Sequence, residues 1–102
     1  MPPPDDTYTN VKHFLIQLQA GADPVNLLAD NPLRNYLYVR NNGVNTGAFW
    51  FDQATDTGQS ITLSPGASHE FNPKVPVNRA FFQSTLGTTF GIIEGYARQG
   101  GR

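Results

Sequence analysis

The sequence has no cysteine and only two histidines among its 102 residues. The lack of cysteine excludes a disulfide framework and any zinc site built on thiolates. His13 and His69 lie far apart in the chain and neither belongs to a cluster with metal-ligand spacing, so we expect no metal site. Small β domains that lack both supports often gain stability by oligomerisation, so we expect a homo-oligomer, either a trimer or a dimer.

Charged residues are also scarce. They make up 15% of the chain, the net charge is −1, and the seven basic residues are scattered. Nucleic-acid-binding domains concentrate positive charge on one face, so we expect no nucleic-acid partner. No apolar run reaches the length of a membrane span, and the first residues lack the basic and apolar parts of a signal peptide. We therefore expect no membrane partner and synthesis in a cytoplasm.

Catalytic arrangements are missing as well. Ser68, His69 and Glu70 are consecutive, and neighbouring strand residues point to opposite faces, so they cannot form a triad. The Gly-rich segments are not followed by a helix that could hold phosphate. Glu94, in an otherwise apolar run, is either a buried catalytic acid or, the interpretation we favour, a strand residue that faces solvent or pairs with an arginine. We expect no enzymatic activity, no catalytic residue and no cofactor.

The most informative segment that is present is NPLRNYLYVRNN, residues 31–42. Its second half alternates with a period of two, which is the period of a half-buried β-strand. Leu37 and Val39 fall on one side and suit a core. Tyr36, Tyr38 and Arg40 fall on the other side, and these residue types dominate protein–protein contacts. We therefore predict a strand with one core face and one contact face.

The rest of the chain contains further short apolar runs separated by turn residues. Ser64-Pro65-Gly66-Ala67 has the proline and glycine positions of a type II turn. Gly91 and Gly95 inside the last run suggest a bulge or a close backbone approach. The first run also fits a helical stripe, but the turn after it favours a strand. Strands are predicted at Lys12–Gln19, Val25–Ala29, Asn35–Asn41, Ala48–Asp52, Gln59–Leu63, Ser68–Phe71, Asn78–Ser84 and Thr88–Ala97.

Seven or eight short strands at this spacing predict an all-β fold. We expect a single small antiparallel β-sandwich over residues 11–97, with jelly-roll or related Greek-key topology. A polar tail follows at residues 98–102, and residues 1–10 form a flexible proline-rich arm.

Two further features are candidates for contact with a partner. In the arm, Pro2, Pro3 and Pro4 favour an extended conformation, and Tyr8 is a candidate anchor on a neighbouring subunit. The alternative is a frayed terminus. The aromatic run AFWFD implies burial on both faces of its strand, and Trp50 is either a core residue, part of a contact face or a platform for stacking sugars.

The order of several weak motifs resembles that of small virion proteins of tailed bacteriophages. Over about residues 25–97 the chain has an N-P-x-R-x-x-L-x-V-x-N-N strand, an L-x-P-G turn that leads to E-F, a V-P connector and a closing I-E-G strand. The matching residues are Asn31, Pro32, Arg34, Leu37, Val39, Asn41, Asn42, Leu63, Pro65, Gly66, Glu70, Phe71, Val75, Pro76, Ile93, Glu94 and Gly95.

The resemblance implies a β-sandwich of the virion shell without enzymatic activity. It implies a capsid decoration or cement protein that binds the outside of the head, with the major capsid protein or other virion proteins as partners, and synthesis in a host bacterial cytoplasm. The arm is not part of the shared pattern. Two alternatives stay open: a tail, spike or fibre module of the virion, and a carbohydrate-binding module that stacks sugars on Trp50 or on Tyr36 and Tyr38.

Overall fold

The structure, a computed structural model, describes residues 10–53, 60–71 and 74–97. These residues contain eight β-strands and no helix. Each strand overlaps a predicted one, and the bounds differ by one to two residues at most ends. The strands are β1 (Asn10–Leu18), β2 (Val25–Leu28), β3 (Arg34–Asn41), β4 (Gly47–Phe51), β5 (Ile61–Leu63), β6 (Ser68–Phe71), β7 (Ala80–Gln83) and β8 (Thr88–Tyr96).

The strands form two antiparallel four-stranded sheets. Sheet A has the order β1-β8-β3-β6 and sheet B has the order β2-β7-β4-β5. The chain crosses between the sheets at most connections, so sequence neighbours rarely pair, and this strand order is that of a jelly roll. The predicted all-β sandwich is confirmed.

The core lies between the two sheets and is built from alternate residues of each strand. Sheet B contributes Phe49 and Phe82, whose rings stack with centroids 5.8 Å apart. Sheet A contributes Phe90, whose ring meets Phe49 edge-on at 6.3 Å. Leu37 and Val39 of β3 are fully buried beside them, as their alternation predicts. Aromatic pairs with these geometries stabilise a core beyond the area that they bury.

The predicted type II turn is confirmed, and the predicted irregularity at the glycines of the last strand is found on the neighbouring strand instead. Gly66 has a φ of 83°, and the amide of Ala67 donates to the carbonyl oxygen of Ser64 at 2.9 Å, which is the geometry of a type II turn. In β3 the pairing register with β8 shifts between Arg34 and Tyr36, and the shift faces Gly95. The extra residue lies in β3, so the irregularity faces a glycine of the predicted run in β8 and does not lie within that run.

Among the residues that the structure describes, no helix is long and apolar enough to cross a membrane.

Candidate functional site

The candidate contact face is the outer face of sheet A. Because Leu37 and Val39 point into the core, their neighbours Tyr36, Tyr38 and Arg40 lie on the opposite face of β3. Both tyrosines are half-buried and Arg40 is exposed. The hydroxyl of Tyr36 donates to a carboxylate oxygen of Glu70 on β6 at 2.7 Å. The predicted grouping of these three side chains on one face therefore agrees with the fold.

A shallow groove crosses this face above β8. Gly91 lies between Leu15 of β1 and Arg40 of β3, and Ile93 lies between His13 and Tyr38. Since Gly91 has no side chain, the β1 and β3 side chains form two ridges with a depression between them. The groove has a volume of about 370 Å³ and is lined by His13, Phe14, Leu15, Tyr38, Arg40, Asn42, Gly91, Ile92 and Ile93.

Gly91 is favoured there by the close approach of a side chain rather than by its backbone angles. A Cβ atom at this position would collide with the side-chain amide of Asn42. The sequence signal for the groove was the glycine inside an apolar strand, but the ridge that β1 supplies was missed. Leu15, in that ridge, is an exposed apolar residue at 69% of its full accessibility.

Trp50 does not lie on an exposed contact face. It follows the core residue Phe49 in β4, so it lies on the outer side of sheet B, but it is 1% exposed. Its ring stacks on Phe81 with centroids 6.5 Å apart, and its Nε1 donates to the carbonyl oxygen of Gln53 at 2.9 Å. Its polar atom is satisfied and its ring is covered. Trp50 is therefore an interior residue and offers no surface for stacking sugars or for a protein partner.

The four arm residues of the candidate contact set, Pro2, Pro3, Pro4 and Tyr8, lie outside the described residues. Their predicted role stays a prediction.

A buried ion pair closes one end of the β3–β8 ladder; we call it, with its partners, the Arg34 cluster. The Nε of Arg34 donates to a carboxylate oxygen of Glu94 at 2.7 Å, and Asn31 donates to the same oxygen at 3.3 Å. The remaining guanidinium nitrogens donate to the carbonyl oxygens of Ala29, Pro76 and Asn78 at 2.7 to 3.0 Å. Of the alternatives for Glu94, pairing with an arginine is confirmed and solvent exposure is wrong.

A second buried group, the Asn41 cluster, closes the other end of the same ladder. The side-chain nitrogen of Asn41 donates to the carbonyl oxygens of Asn45 and Leu63, at 2.8 and 2.9 Å. Its side-chain oxygen accepts from the Thr88 hydroxyl at 2.8 Å and from the Gly43 amide at 3.0 Å. The amide thus satisfies two acceptors and two donors from three segments, the β3–β4 connection, β5 and β8, without any exposure to water.

The two clusters together hold many of the polar residues of the motif. Asn31, Arg34 and Glu94 belong to one, and Asn41 belongs to the other. Their side chains bond to the backbone and to each other inside the fold. These four motif residues therefore tie the strands and connectors together, whereas Tyr38 and Arg40 line the groove on the outer face of sheet A.

The other polar residues considered for chemistry do not converge. The ring of His69 packs against Phe71, with centroids 4.4 Å apart, while Glu70 accepts from Tyr36 on the other face of the sheet. The predicted separation of this pair is confirmed. Within residues 10–53, 60–71 and 74–97, no group of three or more acidic, histidine or cysteine side chains is placed to hold a metal ion.

Comparisons with protein-family models, with curated proteins and with solved structures gave no match.

Proposed function

We propose that this chain is a non-enzymatic structural protein of a bacteriophage virion, and that it is a decoration or cement protein on the outside of the head. The observation that carries the proposal is that the polar residues of this chain fall into two groups, one buried in the fold and one on the surface. Four polar residues of the shared motif, Asn31, Arg34, Asn41 and Glu94, are held in the two buried clusters, while Tyr38 and Arg40 line an open groove on the outer face of sheet A.

The composition of this face suits protein contact. Aromatic residues and arginine are enriched at the energetically important centres of interfaces, and an apolar groove beside them can accept side chains of a partner. Tyr36 is held in place by Glu70, so one of the rings is already ordered before a partner binds. A side chain that is ordered in advance loses less entropy on binding. In this proposal the face packs on the capsid shell and bridges neighbouring subunits.

The proposal is tested by the number of copies of this chain in purified particles of the virus that encodes it. Quantitative mass spectrometry would measure the chain against the major capsid protein. A copy number of hundreds, in simple ratio to the shell protein, is the expected result. A dozen copies or fewer would move the protein to the tail, a spike or a fibre, and complete absence would overturn the virion assignment.

The contact face is tested separately with particles that lack the chain. Tyr38→Ala and Arg40→Ala should each lower the amount of added protein that sediments with the particles. Lys74→Ala is the control, because Lys74 is an exposed cation in the connector after β6. Equal binding by all three variants would remove the outer face of sheet A from the proposal while leaving the copy-number result intact.

The carbohydrate-binding alternative loses one of its three aromatic rings, because Trp50 is buried. Nothing in the geometry of Tyr36 and Tyr38 favours a sugar over a protein surface.

A further inference from the structure

The longest edge of the sandwich belongs to β1. It has nine residues, whereas the other edge strands, β2, β5 and β6, have three or four. Among the described strands, β1 pairs with β8 alone. Its other side is therefore a row of backbone groups that no described strand engages. Most of its residues are also exposed, since its first four are on the surface and burial begins with the alternate residues after them.

This edge lacks the features that usually prevent strands from pairing between molecules. Natural edge strands are shortened, bulged, interrupted by proline or lined with charge. β1 has no proline, its register with β8 runs without a shift from Asn10 to Leu18, and Lys12 is its one Lys, Arg, Asp or Glu residue. Val11 and Leu15 add exposed apolar side chains to its outer face. A long, regular and apolar edge is a site for adding a strand.

We propose that the side of β1 that faces away from β8 pairs with β1 of a second copy of this chain. The two strands run antiparallel about a two-fold axis, and the two A sheets become one continuous eight-stranded sheet. The length of β1 favours a second copy of this chain as its partner. The other long strands of the described chain, β3 and β8, lie inside sheet A with both sides already paired, so another β1 is the edge that matches this one.

The sequence of β1 is compatible with pairing to itself. An axis at Phe14, the middle residue, gives the longest ladder and keeps outer-face residues opposite outer-face residues. His13 then faces the partner's Leu15, and Lys12 faces the partner's Ile16. No like charges meet, which matters because like charges directly opposite each other destabilise a strand pair. If the two strands were shifted by four residues relative to each other, the axis would lie at Lys12 and the two Lys12 side chains would face each other.

This inference does not depend on the proposed function, and the two fail separately. A junction made through one strand pair is smaller than a standard protein interface, so we expect a reversible dimer. The molar mass should therefore be measured by sedimentation equilibrium over a series of concentrations. The expected result for the wild-type chain is a rise from one to two times 11.2 kDa. A single-chain mass at every concentration would overturn the dimer whatever the copy number in virions.

The surface is tested by the double variant H13K/L15K. It places a lysine opposite a lysine twice across the junction and adds no bulk to the core, so it should raise the dissociation constant at least tenfold. Leu86→Lys is the matched control, because Leu86 and Leu15 are both 69% exposed and Leu86 lies in the turn before β8. Dimerisation that survives in H13K/L15K would overturn β1 as the interface.

The register can be read by crosslinking, since the chain has no cysteine of its own. His13→Cys and Leu15→Cys variants are prepared separately and then mixed under oxidising conditions. In the proposed register these two positions are directly opposed, whereas identical positions are diagonal neighbours about 7 Å or more apart and bridge poorly. Disulfide dimers should form faster in the mixture than in either variant alone or in Leu86→Cys. Equal rates would overturn the register.

Discussion

Arg34 shows why one residue type can be irreplaceable at a buried position. A buried ion pair is weak evidence for stability, because desolvation of both charges offsets their attraction. Here the guanidinium also satisfies three part-buried backbone carbonyl oxygens from two connectors, and these would lose their donor if the pair were replaced by apolar residues. The planar fork of donors, rather than the charge, is what the site uses.

We therefore predict that Arg34→Lys lowers the free energy of unfolding by about 3 kcal/mol although it keeps the charge, because an ammonium cannot reach Glu94 and three carbonyl oxygens together. Urea denaturation would measure the change. The control is Arg40→Lys, which makes the same substitution at an exposed position six residues later in β3. A similar fall in the free energy of unfolding for both variants would contradict the role that we give to the planar set of guanidinium donors.

The Asn41 cluster supports a second prediction at this scale. Asn41→Asp keeps the shape of the side chain but replaces two N–H donors by an oxygen that faces the carbonyl groups of Asn45 and Leu63. We expect the free energy of unfolding to fall by about 3 kcal/mol or more, since a buried charge loses its hydration without gaining partners. Asn42→Asp is the control, with the same chemical change at the exposed neighbour. Denaturation of both variants at neutral pH decides the question.

Among the elements, the connection from β3 to β4 is tied closely to β8. A Cβ atom at Gly43 would approach the backbone nitrogen of Thr89 to 2.8 Å and would collide with the Thr88 hydroxyl. A Cβ at Gly91 meets the end of an exposed side chain that can rotate away. The turn therefore needs a glycine at position 43, because this residue lies against the backbone of β8. Backbone atoms in a paired strand cannot move aside as the end of a side chain can.

The difference predicts a graded pair of glycine variants. Gly43→Ala should lower the free energy of unfolding by about 2 kcal/mol, within the range found for overpacked sites, and Gly91→Ala by less than half of that. Thermal denaturation followed by circular dichroism would compare them. Combining Gly91→Ala with Asn42→Ala should recover the small loss, because the colliding amide is then absent. The opposite ranking would contradict this account of the turn.

Strands were the most predictable elements, because their signal lies within a few residues. In β3 the apolar and polar residues alternate along the strand itself, so Leu37 and Val39 could be assigned to the core without knowing any partner strand. β1 was ambiguous with a helix, because its apolar residues fit both periods. Trp50 was ambiguous for another reason. Whether an outward ring is covered depends on Phe81, which is far away in sequence and pairs with it across the sheet.

At the scale of the whole molecule, the arrangement of strands could not be derived from the residues. Sheet A places β8 between β1 and β3, and nothing in the sequence of any of the three specifies that order. The same limit applied to Glu94. An arginine partner was foreseen, but seven basic residues were available and selecting Arg34 required the β3–β8 register. The groove was hidden for the same reason, since its ridges come from β1 and β3 and its floor comes from β8, which is far from both in the sequence.

A prediction at this scale concerns the N-terminal arm. Deleting residues 2–8 should weaken binding to the capsid several-fold and leave the melting temperature within about 2 °C, because the buried core residues of the described strands run from Ile16 to Ile92. Co-sedimentation with particles and calorimetry would give the two values. Unchanged binding would remove the arm from the proposed mechanism, and a large fall in melting temperature would show that the arm belongs to the folded domain.

The central place of β8 in sheet A constrains how the protein is made. The Arg34–Glu94 and Asn41–Thr88 bonds join residues 60 and 47 positions apart, and β8 is the last described strand in the chain. During synthesis, β1 and β3 emerge from the ribosome before β8, which is the strand that lies between them in sheet A. Until it arrives, two apolar edges and two half-built polar clusters stay open. Sheet A therefore cannot close until β8 has been made, and before that point the open edges of β1 and β3 need protection from other copies of the nascent chain.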